Sequence, residues 1–92
     1  MALQSFIQIN GTIQEKIPFS YEDRNHNTVN GETVLLEFQD GNYKKNIVFA
    51  FNSPISQDVG TRVNIGGYIS SFKLSKGGWY TKVQGIKATT LP

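Results

Sequence analysis

Short runs of β-branched and aromatic residues, separated by turn-forming residues, limit the possible folds of this chain more than any other feature. Val, Ile, Phe, Tyr and Thr cluster in five runs, and no helical apolar period persists over ten residues. Such runs are typical of strands, and alternation with a period of two indicates strands that bury one face. The pattern therefore predicts an all-β domain. Its five predicted strands are residues 4–14, 33–38, 43–51, 62–73 and 79–88.

Turn-forming residues mark the connections between these strands. The segment Asp40-Gly41-Asn42 predicts a tight hairpin, because Gly and Asn both tolerate positive φ. The segment Ser75-Lys76-Gly77-Gly78 predicts a second hairpin. Residues 15–32 are polar and predict a long loop. Residues 52–60 contain a Ser-Pro pair and end in Gly, which predicts a connection with at most one helical turn.

The strand order favours one architecture. Five strands with a longer connection between the third and the fourth are typical of the OB fold, a partly open Greek-key barrel. Gly11 and the Gly66-Gly67 pair suit strands that must bend to close a small barrel, and we expect a bend or bulge at Gly11. An SH3-like barrel or a small sandwich is the alternative. The 92 residues fit one domain, with a core over about residues 4–88 and a short tail at residues 89–92.

The first hairpin divides its residues between two faces. Even positions of the second strand pair with odd positions of the third, whichever two residues form the turn. One face then holds six large apolar side chains and is the predicted core. These six residues are Val34, Leu36, Phe38, Ile47, Phe49 and Phe51. The opposite face holds Thr33, Leu35, Glu37, Lys44, Asn46 and Val48.

Charge is unevenly distributed along the chain. The net charge of +2 is a small bias, but five of the seven acidic residues precede residue 40 and seven of the nine basic residues follow it. Aromatic residues form 12% of the chain and stand beside lysines in the later strands. A surface that stacks unpaired nucleobases combines these two residue types, although β-rich domains use aromatic residues in any case.

Three segments resemble the bacterial-type single-stranded DNA-binding proteins. Val59–Ile69 is similar to the stretch in which a glycine leads into the valine-rich fourth strand of that family. Gly78–Val83 is similar to the entry of its fifth strand, and Lys45–Phe49 takes the place of its basic and then apolar third strand. The resemblance covers about residues 33–88. It implies an OB-fold protein that binds single-stranded DNA without sequence specificity.

The resemblance also implies a biological setting. We expect a role in DNA replication, recombination or repair, a homo-oligomer, and a cytoplasmic location in a bacterium or a phage-infected cell. RNA is a second candidate ligand. No signal peptide and no membrane-spanning run is recognisable. Two features differ from the family pattern: residues 59–92 contain no acid where an acidic tail tip is expected, and residues 15–32 contain no run of basic residues.

The predicted contact residues combine aromatic and basic side chains. In the fourth strand, Arg62, Tyr68 and Phe72 share the face opposite the core. Aromatic rings would stack on bases, and the lysines and Arg62 would meet phosphates. The predicted nucleic-acid-binding set is Tyr43, Lys44, Lys45, Arg62, Tyr68, Phe72, Lys73, Lys76, Trp79, Tyr80 and Lys82.

The second hairpin makes the sharpest prediction within this set. If Gly77-Gly78 forms the turn, Lys73 lies opposite Lys82, and a bound phosphate would relieve their repulsion. Trp79 and Tyr80 stand beside the tip, and one of them is expected to point inward. Trp79 then either stacks on a base or plugs one end of the barrel.

No residue pattern points to catalysis. The only histidine, His26, lies in the predicted loop, and the chain has neither cysteine, a Gly-x-Ser-x-Gly elbow nor a phosphate-binding loop. Glu22 and Asp23 are adjacent and could bind a cation weakly, but adjacent loop acids are usually only solvated. We therefore predict a binding protein that is not an enzyme and has no metal or cofactor. The alternative function is an OB module for protein interaction or oligomerisation that does not bind nucleic acid.

Overall fold

Five strands make up the fold in a computed structural model that describes residues 5–92. They are β1 (Phe6–Glu22), β2 (Thr28–Asp40), β3 (Tyr43–Phe51), β4 (Arg62–Lys73) and β5 (Trp79–Thr90). Within residues 5–92 no helix is formed, and so none is long and apolar enough to cross a membrane. Gln4, the predicted start of the first strand, lies outside the described residues.

The strands close into a barrel in the order β1-β2-β3-β5-β4, with β4 paired back to β1. Neighbouring strands are antiparallel except β3 and β5, which run parallel and are joined at the single pair Ala50 and Gln84. The predicted five-stranded OB barrel is confirmed. Its weakest seam is the one between β3 and β5.

The turn between β2 and β3 forms as the Asp-Gly-Asn signal predicts. Asp40 pairs with Tyr43, so two residues form the turn, and Gly41 adopts a φ of 62°. That left-handed conformation costs glycine little. The same register pairs Leu36 with Ile47, which confirms the predicted division of this hairpin into two faces.

The core lies inside the barrel and receives side chains from all five strands. Its buried apolar residues are Ile13, Val34, Leu36, Phe49, Phe51, Val63, Ile65 and Val83. Four of the six predicted core residues are among them. The other two, Phe38 and Ile47, are only partly buried because they lie nearer the β2–β3 turn.

Residues 15–32 do not form the predicted loop. Both β1 and β2 extend through this segment as a hairpin arm, and only residues 23–27 connect them. The alternation of Ile17, Phe19 and Tyr21 with polar residues was the strand signal. The polar residues of the other face, among them Lys16, Ser20 and Glu22, made the segment as a whole resemble a loop.

Two smaller predictions also need correction. β5 continues to Thr90, so half of the predicted tail belongs to a strand, and the Leu91 N–H donates to the Arg62 carbonyl at 2.9 Å. The bulge in β1 lies between Ile13 and Glu15 rather than at Gly11. Gly11 instead marks a close approach, since a Cβ there would meet the backbone of the neighbouring β2 strand.

The connection between β3 and β4 contains bends and turns and no helical turn. It is held by Lys16 of the arm, whose Nζ donates to the carbonyls of Ile55 at 3.2 Å and Gln57 at 2.8 Å. Lys16 also pairs with the Glu32 carboxylate at 3.3 Å, and that carboxylate accepts from the Ile55 N–H. A largely buried ion pair thus anchors a connection that lacks regular structure.

Candidate nucleic-acid interface

Four half-exposed aromatic rings lie on the outer surface of the barrel. Phe72 of β4 pairs with Tyr80 of β5, with ring centroids 5.3 Å apart. Tyr68 lies on the same face of β4 and meets the edge of Phe6 in β1, with centroids 5.4 Å apart. The four residues are 42% to 52% exposed. We call this set the aromatic face; it offers flat ring surface to unpaired bases.

Sequence reasoning missed Phe6. Its ring lies over Gly66, where an added Cβ would come within 2.8 Å of the ring. The pairing of Phe6 with Tyr68 depends on the register between β1 and β4, which are far apart in the chain. The only local signal was Gly66, which lies diagonally across from Phe6 and leaves room for its ring.

The basic residues near the aromatic face have no acidic partner. Lys82 lies on this face opposite Ser70, between the Tyr68 and Phe72 positions. Lys87, which was not predicted, lies opposite Gly66. Residues 59–92 contain five basic residues and no acidic residue. Within residues 5–92, none of these five side chains forms an ion pair. The five are Arg62, Lys73, Lys76, Lys82 and Lys87.

The predicted contacts at the β2–β3 turn have a different environment. Lys45 Nζ lies 2.5 Å from an oxygen of Asp40, and Lys44 Nζ lies 3.9 Å from an oxygen of Glu37. Tyr43 is 72% exposed at the same turn. The charge of both lysines is locally compensated, and these residues lie on a different hairpin from the aromatic face.

Arg62 lies at the other end of β4 from Phe72. Six residues separate it from Tyr68, which is about 20 Å at roughly 3.3 Å per residue. Arg62 lines a cleft of about 380 Å³ together with Phe38 and Lys44. The structure therefore does not bring Arg62 together with the aromatic face.

The register of the second hairpin differs from the prediction. Lys73 pairs with Trp79, and Lys82 pairs with Ser70. The connection is the five-residue segment 74–78, closed by a bond from the first N–H to the last carbonyl at 3.0 Å. The predicted opposition of Lys73 and Lys82 is wrong, since the longer turn shifts the register and places them on opposite faces.

The second hairpin projects from the barrel: the pairing of β4 with β1 ends at Tyr68, and residues 70–82 are all exposed. Trp79 is 70% exposed and shares a face with Lys73, opposite to the face of Tyr80. The expectation that Trp79 or Tyr80 points inward is wrong, and Trp79 does not plug the barrel. Both residues lie beyond the end of the core, with Lys76 in the turn.

A cleft runs beside the aromatic face where β3 and β5 separate. It measures about 160 Å³ and is lined by Val48 and Ala50 of β3 and by residues 80–83 of β5. In the part of the chain that the structure describes, no group of three or more His, Asp or Glu side chains is placed to hold a metal ion. The arrangement is suited to stacking and to binding anions.

Comparison with known proteins bears on the fold. No protein-family model and no curated protein sequence matches the chain. Its structure is similar to that of Rim1, a mitochondrial single-stranded DNA binding protein from S. cerevisiae, with a TM-score of 0.73 at 12% identity over 96% of each chain. A second crystal form of Rim1 gives the same TM-score and identity over 98% of this chain and 97% of that chain. Plasmodium falciparum SSB, solved in complex with ssDNA, gives a TM-score of 0.55 at 14% identity over 100% of this chain and 97% of that one. This chain therefore has the barrel fold found in single-stranded DNA-binding proteins.

Proposed function

We propose that this chain binds single-stranded DNA without sequence specificity, catalyses no reaction, and acts in DNA replication, recombination or repair. One observation carries the proposal: four half-exposed aromatic rings lie beside basic residues that form no ion pair within residues 5–92. Three of the four rings are on β4 and β5, which contain no acidic residue. The similarity in fold to Rim1, a single-stranded DNA binding protein, and to Plasmodium falciparum SSB, solved in complex with ssDNA, supports it.

The contact combines two physical effects. Bases stack on the aromatic face, and each stacked base contributes about 1–3 kcal/mol. Lys82 lies between the rings and meets the phosphates that link the stacked bases. Stacking uses the π face that every base has, so the selectivity among sequences is small. Duplex DNA buries those faces and binds more weakly.

We place the single-strand contact on the aromatic face, which includes Phe72 and Tyr80 on the outer face of the second hairpin. OB barrels use the loop between β4 and β5 for oligonucleotides, and here that loop is the exposed second hairpin. Lys76 lies in its turn, and Trp79 and Lys73 lie on its other face, outside the single-strand contact. Tyr43, Lys44, Lys45 and Arg62 are left out of the proposed contact, since two of them are ion-paired and all lie away from the rings.

The proposal is tested by fluorescence anisotropy with labelled oligonucleotides of equal length. We expect oligo-dT to bind more tightly than duplex DNA, and oligo-rU to report whether the ribose 2′-hydroxyl is tolerated. Equal affinity for duplex and single strand would contradict the proposal, because stacking requires unpaired bases.

We further propose that the chain forms a homo-oligomer through the outer face of the hairpin arm. Ile17 and Val48 are 52% and 48% exposed, and Phe19 lies on the same outer face. Glu15 lies at the edge of this apolar stretch, in the same cross-strand row as Val48. Light scattering after size exclusion gives the mass. We expect Ile17→Asp to lower it to that of a monomer, and a wild-type monomer at all concentrations would refute the assembly.

A further inference from the structure

The second hairpin presents aromatic and basic side chains on both of its faces. Phe72, Tyr80 and Lys82 lie on the outer face, whereas Trp79 and Lys73 lie on the other. Both faces are exposed, because residues 70–82 project beyond the barrel. A protein that binds a single nucleic-acid strand on one face of its sheet needs aromatic and basic side chains on that face only.

Trp79 cannot serve a strand that lies on the aromatic face. Its side chain leaves the opposite side of a ribbon, and no ring within residues 5–92 stacks against it. At 70% exposure the indole offers most of its ring to a partner, and tryptophan is a residue type that stacks on nucleobases. The partner must approach from the side of Lys73.

The tip of the hairpin is slender and basic. Gly77 and Gly78 adopt φ of 89° and 83°, and no atom lies within 4 Å of where their Cβ atoms would be. Lys76 stands beside them, and its charge is uncompensated among the described residues. Two strands alone, about 5 Å apart, form the ribbon. Its shape and charge fit insertion between two nucleic-acid strands.

We propose that the second hairpin recognises the junction between single-stranded and duplex DNA, which deepens and rests on the proposed function. The single strand runs over Phe72 and Tyr80, while Trp79 stacks on the terminal base pair on the other side of the ribbon. Lys73 and Lys76 meet the phosphates of the complementary strand. A junction presents nucleobases to both faces of the hairpin at once: the unpaired bases of the single strand on one face and the terminal base pair of the duplex on the other.

The test compares three ligands: an oligo-dT strand, a blunt duplex, and the same duplex with that strand as a tail. We expect the tailed duplex to bind about 5- to 100-fold more tightly than the strand alone. Trp79→Ala should abolish this difference while leaving the affinity for oligo-dT within about twofold. Tyr43→Ala, at an equally exposed tyrosine on another hairpin, is the matched control and should leave the difference intact.

Fluorescence provides a second readout, because Trp79 is the only tryptophan of the chain. Its emission should be quenched by the tailed duplex and much less by oligo-dT. Equal quenching by both would show that one strand wraps around the hairpin and would overturn the junction. Equal affinity for the tailed duplex and oligo-dT would also overturn it and leave the proposed function standing. No affinity for oligo-dT would instead refute the proposed function.

Discussion

Phe72 and Tyr80 lie directly opposite each other on the outer surface of β4 and β5, with their rings inclined by 54°. We expect Phe72→Ala and Tyr80→Ala each to weaken binding of oligo-dT by about 1–3 kcal/mol, since each removes a stacking surface. Both residues are about half exposed, so the free energy of unfolding should fall by less than the roughly 3–5 kcal/mol that truncating a buried aromatic costs. Anisotropy titration and thermal unfolding separate the two effects.

The control for this prediction is Tyr43→Ala, which removes an aromatic ring that is 72% exposed and lies on the β2–β3 turn. It should leave the dissociation constant unchanged. If it weakens binding as much as Tyr80→Ala does, the contact extends to the other hairpin and the aromatic face is not its centre.

The salt dependence of binding should distinguish basic side chains that form no ion pair from those that do. Contact with about three to five phosphates predicts a slope of about −2 to −3.5 in a plot of log affinity against log salt. Lys82→Ala should make that slope shallower by about 0.7, because this unpaired lysine lies among the rings. Lys45→Ala should change it little, since Asp40 already compensates that charge. Titrations at several salt concentrations measure both slopes, and a larger change for Lys45→Ala would contradict the assignment.

The first hairpin was predictable because its turn is coded locally. The Asp-Gly-Asn segment fixes a two-residue turn, and that turn fixes the register and the buried face of β2 and β3. The second hairpin has an equally clear Gly77-Gly78 signal, yet its turn takes five residues. A change of turn length reassigns every cross-strand pair, so Lys73 and Lys82 were placed together wrongly.

Contacts between distant parts of the chain could not be predicted from local patterns. Phe6 reaches the aromatic face through pairing with β4, which is about 60 residues away in sequence. The ion pairs that neutralise Lys44 and Lys45 depend on side-chain positions within a hairpin rather than on residue type. The uneven charge along the sequence did locate the acid-free strands, because it is a property of composition alone.

The ion pair of Lys16 and Glu32 should contribute measurably to stability. Their side chains are 17% and 11% exposed, and Lys16 also donates to two carbonyls of the β3–β4 connection. Lys16→Met would leave the Glu32 carboxylate with the Ile55 N–H as its remaining donor, at a cost of about 1–3 kcal/mol. Urea unfolding measures this change in the free energy of unfolding.

An exposed pair provides the matched comparison. Lys44 lies 3.9 Å from Glu37 and is mostly exposed, so Lys44→Met should cost less than about 1 kcal/mol. Backbone hydrogen exchange in residues 52–61 should become faster in the Lys16→Met protein, because Lys16 holds that connection, and should not change in the Lys44→Met protein. Equal losses of stability in the two variants would show that burial of the Lys16 pair has no particular effect.

The contact of Phe51 with Gly85 should make the barrel wall sensitive to added volume at that glycine. Phe51 is 4% exposed, and a Cβ on Gly85 would lie 2.5 Å from its ring. Gly85→Ala should therefore lower the free energy of unfolding by about 1–3 kcal/mol through overpacking. Gly66→Ala meets the ring of Phe6, which is half exposed and free to move away, so its cost should be smaller. In a double-mutant cycle, Phe51→Leu should remove part of the penalty of Gly85→Ala, with a coupling of about 0.5–3 kcal/mol. Urea unfolding of the four proteins measures that coupling, and strict additivity would show that the strain in Gly85→Ala arises elsewhere than at the ring.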